Sequence, residues 1–224
     1  MTQKEKILFC FSGGKDSSIA IHKIQQQGQY EIAALLTTVT KDYDRISMHG
    51  IRTSILTRQA DALGLPLEKV FITKDATNAD YEHQMQTVLQ KFFDLDIRKV
   101  AFGDIFLEDL KQYRQDKLAQ MQMQAIFPIW KIDTATLAHD FISAGFKARI
   151  TCVDTNVLDP KFAGRKYDKQ FLADLPESVD PCGENGEFHS FVYDGPIFKG
   201  PISHEKGGTV LRDNRFCFCD IIPA

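Results

Sequence analysis

No apolar run approaches the roughly 20 residues that a membrane-crossing helix requires, which excludes a helical membrane protein. Blocks of like charge are missing as well. The 27 Lys and Arg and the 30 Asp and Glu are interspersed, with a net charge of −3, so nucleic acid is not expected as a partner. Cysteine is scarce and odd in number, five in 224 residues. That count and spacing fit no disulfide framework, and no C-x-x-C element occurs. Cys217-Phe218-Cys219 has a single intervening residue, too few for a zinc ribbon, and strand alternation would place both thiols on one face in the core. Reduced thiols are expected. Residues 1 to 6 lead straight into an apolar run and leave no room for a secretory signal, so a cytoplasmic location is expected. Internal repeats and low-complexity tracts are also lacking.

What is there begins with Ile7-Leu8-Phe9-Cys10-Phe11, followed by Ser12-Gly13-Gly14-Lys15-Asp16-Ser17 and the helical pattern Ile19-Ala20-Ile21-Ile24. Two glycines let the backbone press against a ligand, and a strand feeding a helix aims unpaired N–H groups at an anion. Lys15 adds a mobile positive charge, and Ser12 and Ser17 add hydroxyl donors, so the loop suits a polyphosphate. It is not a Walker A loop, because Phe9 stands where the first glycine belongs and Asp16 follows the lysine.

Over the first two thirds, short apolar runs alternate with amphipathic stretches, the pattern of βαβ units around a parallel sheet. The expected strands are Ile7–Phe11, Ile32–Thr38, Lys69–Thr73, Lys99–Phe102 and Ala148–Val153. Between them fall helices at about Ser17–Gln26, Ile51–Leu63, Ala79–Phe93, Leu107–Met121 and Thr134–Ser143. Gly28, Gly64 and Gly145 stand where helices commonly end in a left-handed residue. Such a sheet binds ligands beyond the carboxyl ends of its strands. Thr38 could contact a ribose or base there, Gly103 allows close backbone approach, and Asp104 could help hold Mg²⁺. Helix capping and turn formation are the plainer roles for the same residues.

After about residue 155, Pro160, Pro176, Pro181, Pro196 and Pro201 break up any long periodic segment, and a small mixed cap is expected. Phe188–Tyr193 alternates with period two, and Gly207-Gly208 separates it from the strand-like Thr209–Ile222. Lys161, Arg165, Lys166 and Lys169, interleaved with Phe162, Tyr167 and Phe171, read as the solvated face of a helix. Within Cys182-Gly183-Glu184-Asn185-Gly186-Glu187-Phe188-His189-Ser190, two carboxylates flank a glycine turn and an imidazole follows. Alternation would put Glu187 and His189 on one strand face, with Phe188 on the other.

The first loop resembles the PP-loop of N-type ATP pyrophosphatases, S-G-G-x-D-S. Together with an E-x-G-E-[YF]-x-[ST] segment, it makes the whole chain resemble the diphthine–ammonia ligase family. The resemblance implies an α/β fold with two parts. Residues 1–130 would form a HUP-type parallel sheet flanked by helices, and 131–224 a smaller α+β domain completing the substrate pocket. It implies an AMP-forming, carbon–nitrogen bond-forming ligase that uses ATP and Mg²⁺. The partners would be a small-molecule or modified-protein carboxylate and ammonia or an amine, and a homodimer fits this scheme. Residue by residue, Ser12, Gly13, Gly14, Lys15, Asp16, Ser17, Thr38, His49 and Gly103 would bind nucleotide, and Asp16 and Asp104 the metal. Lys15, Glu184, Glu187 and His189 would be catalytic.

Two departures stand out. The family's E-G-G-E-Y-E-T is Glu184-Asn185-Gly186-Glu187-Phe188-His189-Ser190 here, so an imidazole replaces a carboxylate and the acceptor is expected to differ. This form resembles a bacterial branch. Tyr113-Arg114 stands where the family shows a Gln-Arg pair. Other readings are a PP-loop enzyme of tRNA modification, with Cys182 as its thiol, one of cobalamin-related metabolism, or a non-catalytic ATP- or AMP-binding module.

Overall fold

The computed structural model describes residues 4–46 and 50–224. Chain order is β1 (Glu5–Cys10), α1 (Lys15–Gln27), β2 (Tyr30–Thr40), β3 (Arg45–Ile46), α2 (Thr53–Leu63), β4 (Leu67–Ile72), α3 (Asn78–Asp94), β5 (Lys99–Ala101), α4 (Glu108–Ala119) and β6 (Gln124–Ile126). Then come α5 (Thr134–Ser143), β7 (Lys147–Asp154), β8 (Lys166–Tyr167), α6 (Lys169–Asp174), β9 (Phe188–Asp194), β10 (His204–Arg212) and β11 (Phe216–Pro223).

The first sheet runs β3-β2-β1-β5-β6, with β4 also on β2, and all its pairings are parallel except that of the short β3. Its central strand is apolar without alternation because both faces are covered: Ile7, Leu8 and Phe9 are all fully buried. Ile7 and Phe9 pack with Ile19 and Ile24 of α1 and Ile55 and Leu56 of α2. Leu8 packs on the opposite face with Leu89 and Phe92 of α3 and Leu118 of α4. Strand order reverses at β1, which lies between β2 and β5, so the crevice of the switch point opens at its carboxyl end. The expected helix-ending glycines, Gly28, Gly64 and Gly145, have φ of 67°, 71° and 87°.

The second sheet is antiparallel, in the order β10-β11-β7-β8, with β9 also on β7. Here several expectations need correction. Ala148–Val153 is a strand, but it belongs to this sheet and not to the parallel one. Buried on both faces, with Ala148, Ile150, Cys152 and Val153 all interior, it mimics the unbroken apolar run of a parallel strand. The missing parallel strand is β6, only three residues long and too short to show a period.

Gly207-Gly208 is not a boundary but part of β10, at a register shift between Lys206 and Thr209. The true break is at Asp213 and Asn214, with φ of 52° and 49°, which turn the chain between β10 and β11. The stretch from Lys161 to Lys169 is not one helix. It passes through a 3₁₀ turn, Pro160–Phe162, and β8 before α6 begins. The aromatics Phe162, Tyr167 and Phe171 are buried while Lys161, Lys166 and Lys169 face solvent. Cys217 and Cys219 both lie in the core, and all five cysteines are free thiols.

Candidate active site

The phosphate-loop candidate leaves β1 at Phe11 and enters α1 at Lys15. Gly13 has a φ of 78°, where a side chain would strain the backbone. Gly14 is the extended residue before α1 and brings no capping side chain of its own, so the first amide of the helix, that of Lys15, is met by Ser190 Oγ from the other sheet. The loop is braced from within: Ser12 and Ser17 hydroxyls are 3.2 Å apart, and Ser17 and Ser18 each donate to the Gly14 carbonyl at 2.9 Å. It is also braced by the second sheet. Val192 N–H of β9 donates to the Gly13 carbonyl at 3.0 Å, and the Lys15 amide donates to Ser190 Oγ at 3.1 Å. Gly103 is required for a reason other than ligand approach. A Cβ there would lie 2.9 Å from Ser17 N and 3.0 Å from the Asp16 carbonyl carbon, so the missing side chain lets α1 start beside the end of β5.

Lys15 is not a mobile charge. Its side chain is 4% exposed, with Nζ 2.9 Å from both Asp16 oxygens and donating to the Cys182 carbonyl. The rings of Phe188 and Tyr167 lie 5.2 and 5.9 Å away. Burial alone would pull its pKa down, but the Asp16 and Cys182 groups outweigh that and hold it above the ordinary lysine value. The Asp16 carboxyl is in turn lifted by burial, with the ammonium opposing. A lysine one residue from an aspartate gave no sequence signal for this pairing, because its other wall comes from 167 residues further on.

The Cys182–Ser190 segment is organised by Asp180, whose Oδ1 accepts from Cys182 N at 2.9 Å and Glu184 N at 3.2 Å. Tyr167 fastens the same turn through a 2.7 Å bond to the Pro181 carbonyl. Glu184 reaches across to the first sheet, where its Oε1 accepts from Ile105 N at 2.8 Å and Phe106 N at 3.4 Å. Burial pushes its carboxyl up to about 7.

Glu187 does not join His189 on a strand face. It precedes the first residue of β9, and its carboxylate is buried within the turn, accepting from Asp180 N, Asn185 N and Asn185 Nδ2 at 3.0–3.1 Å. Its place is that of a loop organiser. Burial takes His189 down to about 4, helped by the Lys15 charge, so its imidazole is neutral at pH 7. The Cys182 thiol is pushed well above its ordinary value by burial.

These pieces surround a cavity of about 570 Å³. One end is polar: Ser12, Lys15, Asp16, Ser17, Thr38, Gly103, Asp104, Glu184, His189 and Ser190 all reach its wall, and Glu187 does not. The other end runs between α3 and α4 over the sheet, past the apolar Met85, Leu89, Val100, Phe102 and Leu118, with Glu82 and Lys117 also on its wall. His49 lies outside the described residues. Tyr81 and Arg114 also line the cavity. Tyr81 gave no signal in the sequence; Arg114 stood out only by its position after Tyr113.

The two metal candidates differ. Both Asp16 oxygens are held by Lys15. Asp104 is buried and paired with Arg114, whose Nη2 donates to Oδ1 at 3.2 Å and whose Nε lies 2.9 Å from Oδ2, an oxygen with no hydrogen-bond partner among the described residues. Each carboxylate is thus ion-paired to a basic side chain, and Asp104 Oδ2 is the oxygen whose hydrogen-bonding capacity is left for a hard cation. Among the described residues no three His, Cys, Asp or Glu side chains converge as a protein-only metal site, and Mg²⁺ held by one carboxylate, waters and phosphates needs none.

A strand-loop-helix cradle at the switch point of a parallel sheet, roofed by an antiparallel sheet, defines a nucleotide-site α/β protein. Residues 5–122 match the family model described as the diphthamide synthase N-terminal domain, and residues 133–221 match the diphthamide synthase C-terminal domain. The chain belongs to the diphthamide synthase family, a family of enzymes. A Danio rerio protein named diphthine–ammonia ligase is 27% identical over 231 residues, covering 93% of this chain and 90% of its own. The human protein of that name is 24% identical over 230 residues, covering 92% and 85%. In Schizosaccharomyces pombe the alignment spans 88% of this chain but 36% of a longer relative.

Proposed function

We propose that this chain is an ATP-dependent ligase that joins a substrate carboxylate to ammonia or an amine, forming a carbon–nitrogen bond. The observation that carries this reading is that Ser12, Lys15, Asp16 and Ser17 of the loop line one cavity together with Glu184, His189 and Ser190 of the second segment. Residues 1–130 act as the nucleotide-binding part and 131–224 as the part completing the pocket. ATP lies with its terminal phosphates on the loop. An oxygen of the substrate carboxylate attacks the α-phosphorus, forming the new P–O bond as the bond to the bridging oxygen breaks and pyrophosphate leaves. The amine nitrogen then attacks the acyl carbon, the C–N bond forms, and AMP departs with the bonding pair.

Lys15 supplies positive charge to the leaving pyrophosphate as phosphate oxygens compete with Asp16 for its ammonium. Asp104 would hold Mg²⁺, which neutralises phosphate charge when bound. Glu184, with a carboxyl near 7, is the group suited to take the proton from the attacking amine, and neutral His189 orients it. The thiol chemistry of tRNA thiolation is disfavoured because burial keeps Cys182 protonated. Diphthine is the acceptor that the relatives' name gives. An imidazole at His189 in place of an acid supports a different or broadened acceptor.

The test is product analysis with α-labelled ATP across a panel of carboxylates plus ammonium. AMP and pyrophosphate released only with a matching acceptor support the reading. ADP and phosphate, or tight nucleotide binding without turnover under every mixture, refute it.

A further inference from the structure

Gln59 lies on α2, fully buried, and it does not line the cavity. Its Nε2 donates to two main-chain carbonyls at once, Gly13 O at 2.9 Å and Val192 O at 2.7 Å. The first belongs to the phosphate loop and the second to β9 of the other sheet. The amide cannot be turned over, because its oxygen would then face two carbonyl oxygens. This orientation leaves Gln59 Oε1 buried without a hydrogen-bond partner among the described residues, a costly state. That oxygen occupies the space Gly13 leaves open: a Cβ on Gly13 would come within 2.5 Å of it.

The edge of β9 completes the arrangement. Val192 sends its N–H to Gly13 O and its carbonyl to Gln59, while Ser190 Oγ takes the Lys15 amide. The strand therefore pairs with the phosphate loop much as it would with another strand, and Gln59 closes the rung.

We propose that Gln59 is a positioning residue that locks the phosphate loop to β9, so that nucleotide affinity depends on a side chain outside the nucleotide pocket. This rests on the nucleotide-binding reading above. A loop carbonyl tied to a strand carbonyl by one buried amide is pre-organised, and affinity gained that way is lost when the tie is cut.

The experiment titrates the α,β-methylene analogue of ATP with Mg²⁺ into wild type, Gln59→Met and Gln59→Glu by calorimetry, alongside thermal unfolding. Methionine fills the same volume without a donor, and binding at least tenfold weaker is expected at temperatures where the variant stays folded. Glutamate has a donor only when protonated. Its affinity relative to wild type should therefore rise as pH falls from about 8 to about 5.5, while the Gln59→Met ratio stays flat. Dividing by the wild-type value cancels the titration of Asp16, Glu184 and His189 around the same loop.

A lowered melting temperature with unchanged affinity of the folded variant would make Gln59 merely structural and overturn the proposal. Should both variants fail to fold, hydrogen exchange of wild type decides. Saturating analogue should slow the Val192 amide, which does not line the cavity, and an unaltered rate overturns the proposal. Wild type that fails to bind the analogue sinks the nucleotide reading itself, a result separate from either.

Discussion

Replacing Lys15 with methionine removes an ammonium that is 4% exposed and pinned between Asp16 and the Cys182 carbonyl. Methionine keeps most of the volume, so the loss is electrostatic. Breaking a buried ion pair by deleting one partner costs about 3–5 kcal/mol because the other charge is stranded. Asp16 is 27% exposed and water relieves part of that, which favours the low end, about 3 kcal/mol. With an m value of about 3 kcal/mol/M, the urea midpoint should fall by about 1 M. Asp16, its carboxyl already lifted by burial, rises further without the ammonium. A carboxyl raised above its unfolded value stabilises the fold at low pH and loses that contribution as pH rises. The deficit of the variant is therefore larger at pH 8 than at pH 5. Equilibrium urea unfolding at the two pH values, followed by circular dichroism, measures both. A midpoint shift below about 0.3 M that does not change with pH would mean the ammonium swings free in the cavity, as the motif alone suggested, and the reasoning about a pinned charge would fail.

Glu184 and His189 should show opposite pH slopes. The raised Glu184 carboxyl gives stability that is full below about 4.5 and lost as pH rises through about 7, so Glu184→Gln should gain on the order of 1–2 kcal/mol over wild type at pH 8, after allowance for solvent screening. The lowered His189 gives stability present above about 6.5 and lost as pH falls toward about 4, so His189→Gln should hold up better at pH 5; two variants with the wild-type pH curve would contradict both assignments. Gly103→Ala drives a Cβ into the backbone of Asp16 and Ser17 and should cost about 1–3 kcal/mol together with nucleotide affinity. Gly200→Ala, with nothing within 4 Å, is the neutral control, and equal melting temperatures for the two would refute the close-approach argument.

The sequence was most legible where the signal was local. Four of the parallel strands and all five expected helices stand within a few residues of their places, because a two-faced apolar run and a 3.6-residue period are properties of neighbours along the chain. The strand at Ala148–Val153 was assigned to the wrong sheet for the same reason: burial on both faces looks alike in either sheet. In the site, Ser12, Lys15, Asp16, Ser17, Thr38, Gly103, Asp104, Glu184 and His189 converge on one cavity, whereas Glu187 faces inward to hold its own turn.

By itself, the amino-acid sequence determined a glycine-bearing loop between a buried strand and a helix, a second acidic segment far along the chain, and the family to which both belong. Tertiary structure alone decided what these pieces touch. It buried the lysine, carried Glu184 across to the amides after β5, and let Gln59 tie the loop to the other sheet. Those contacts join residues 46 to 167 positions apart, and a partner's identity at that range leaves no periodic or local trace, because it depends on how two independently patterned sheets are brought together.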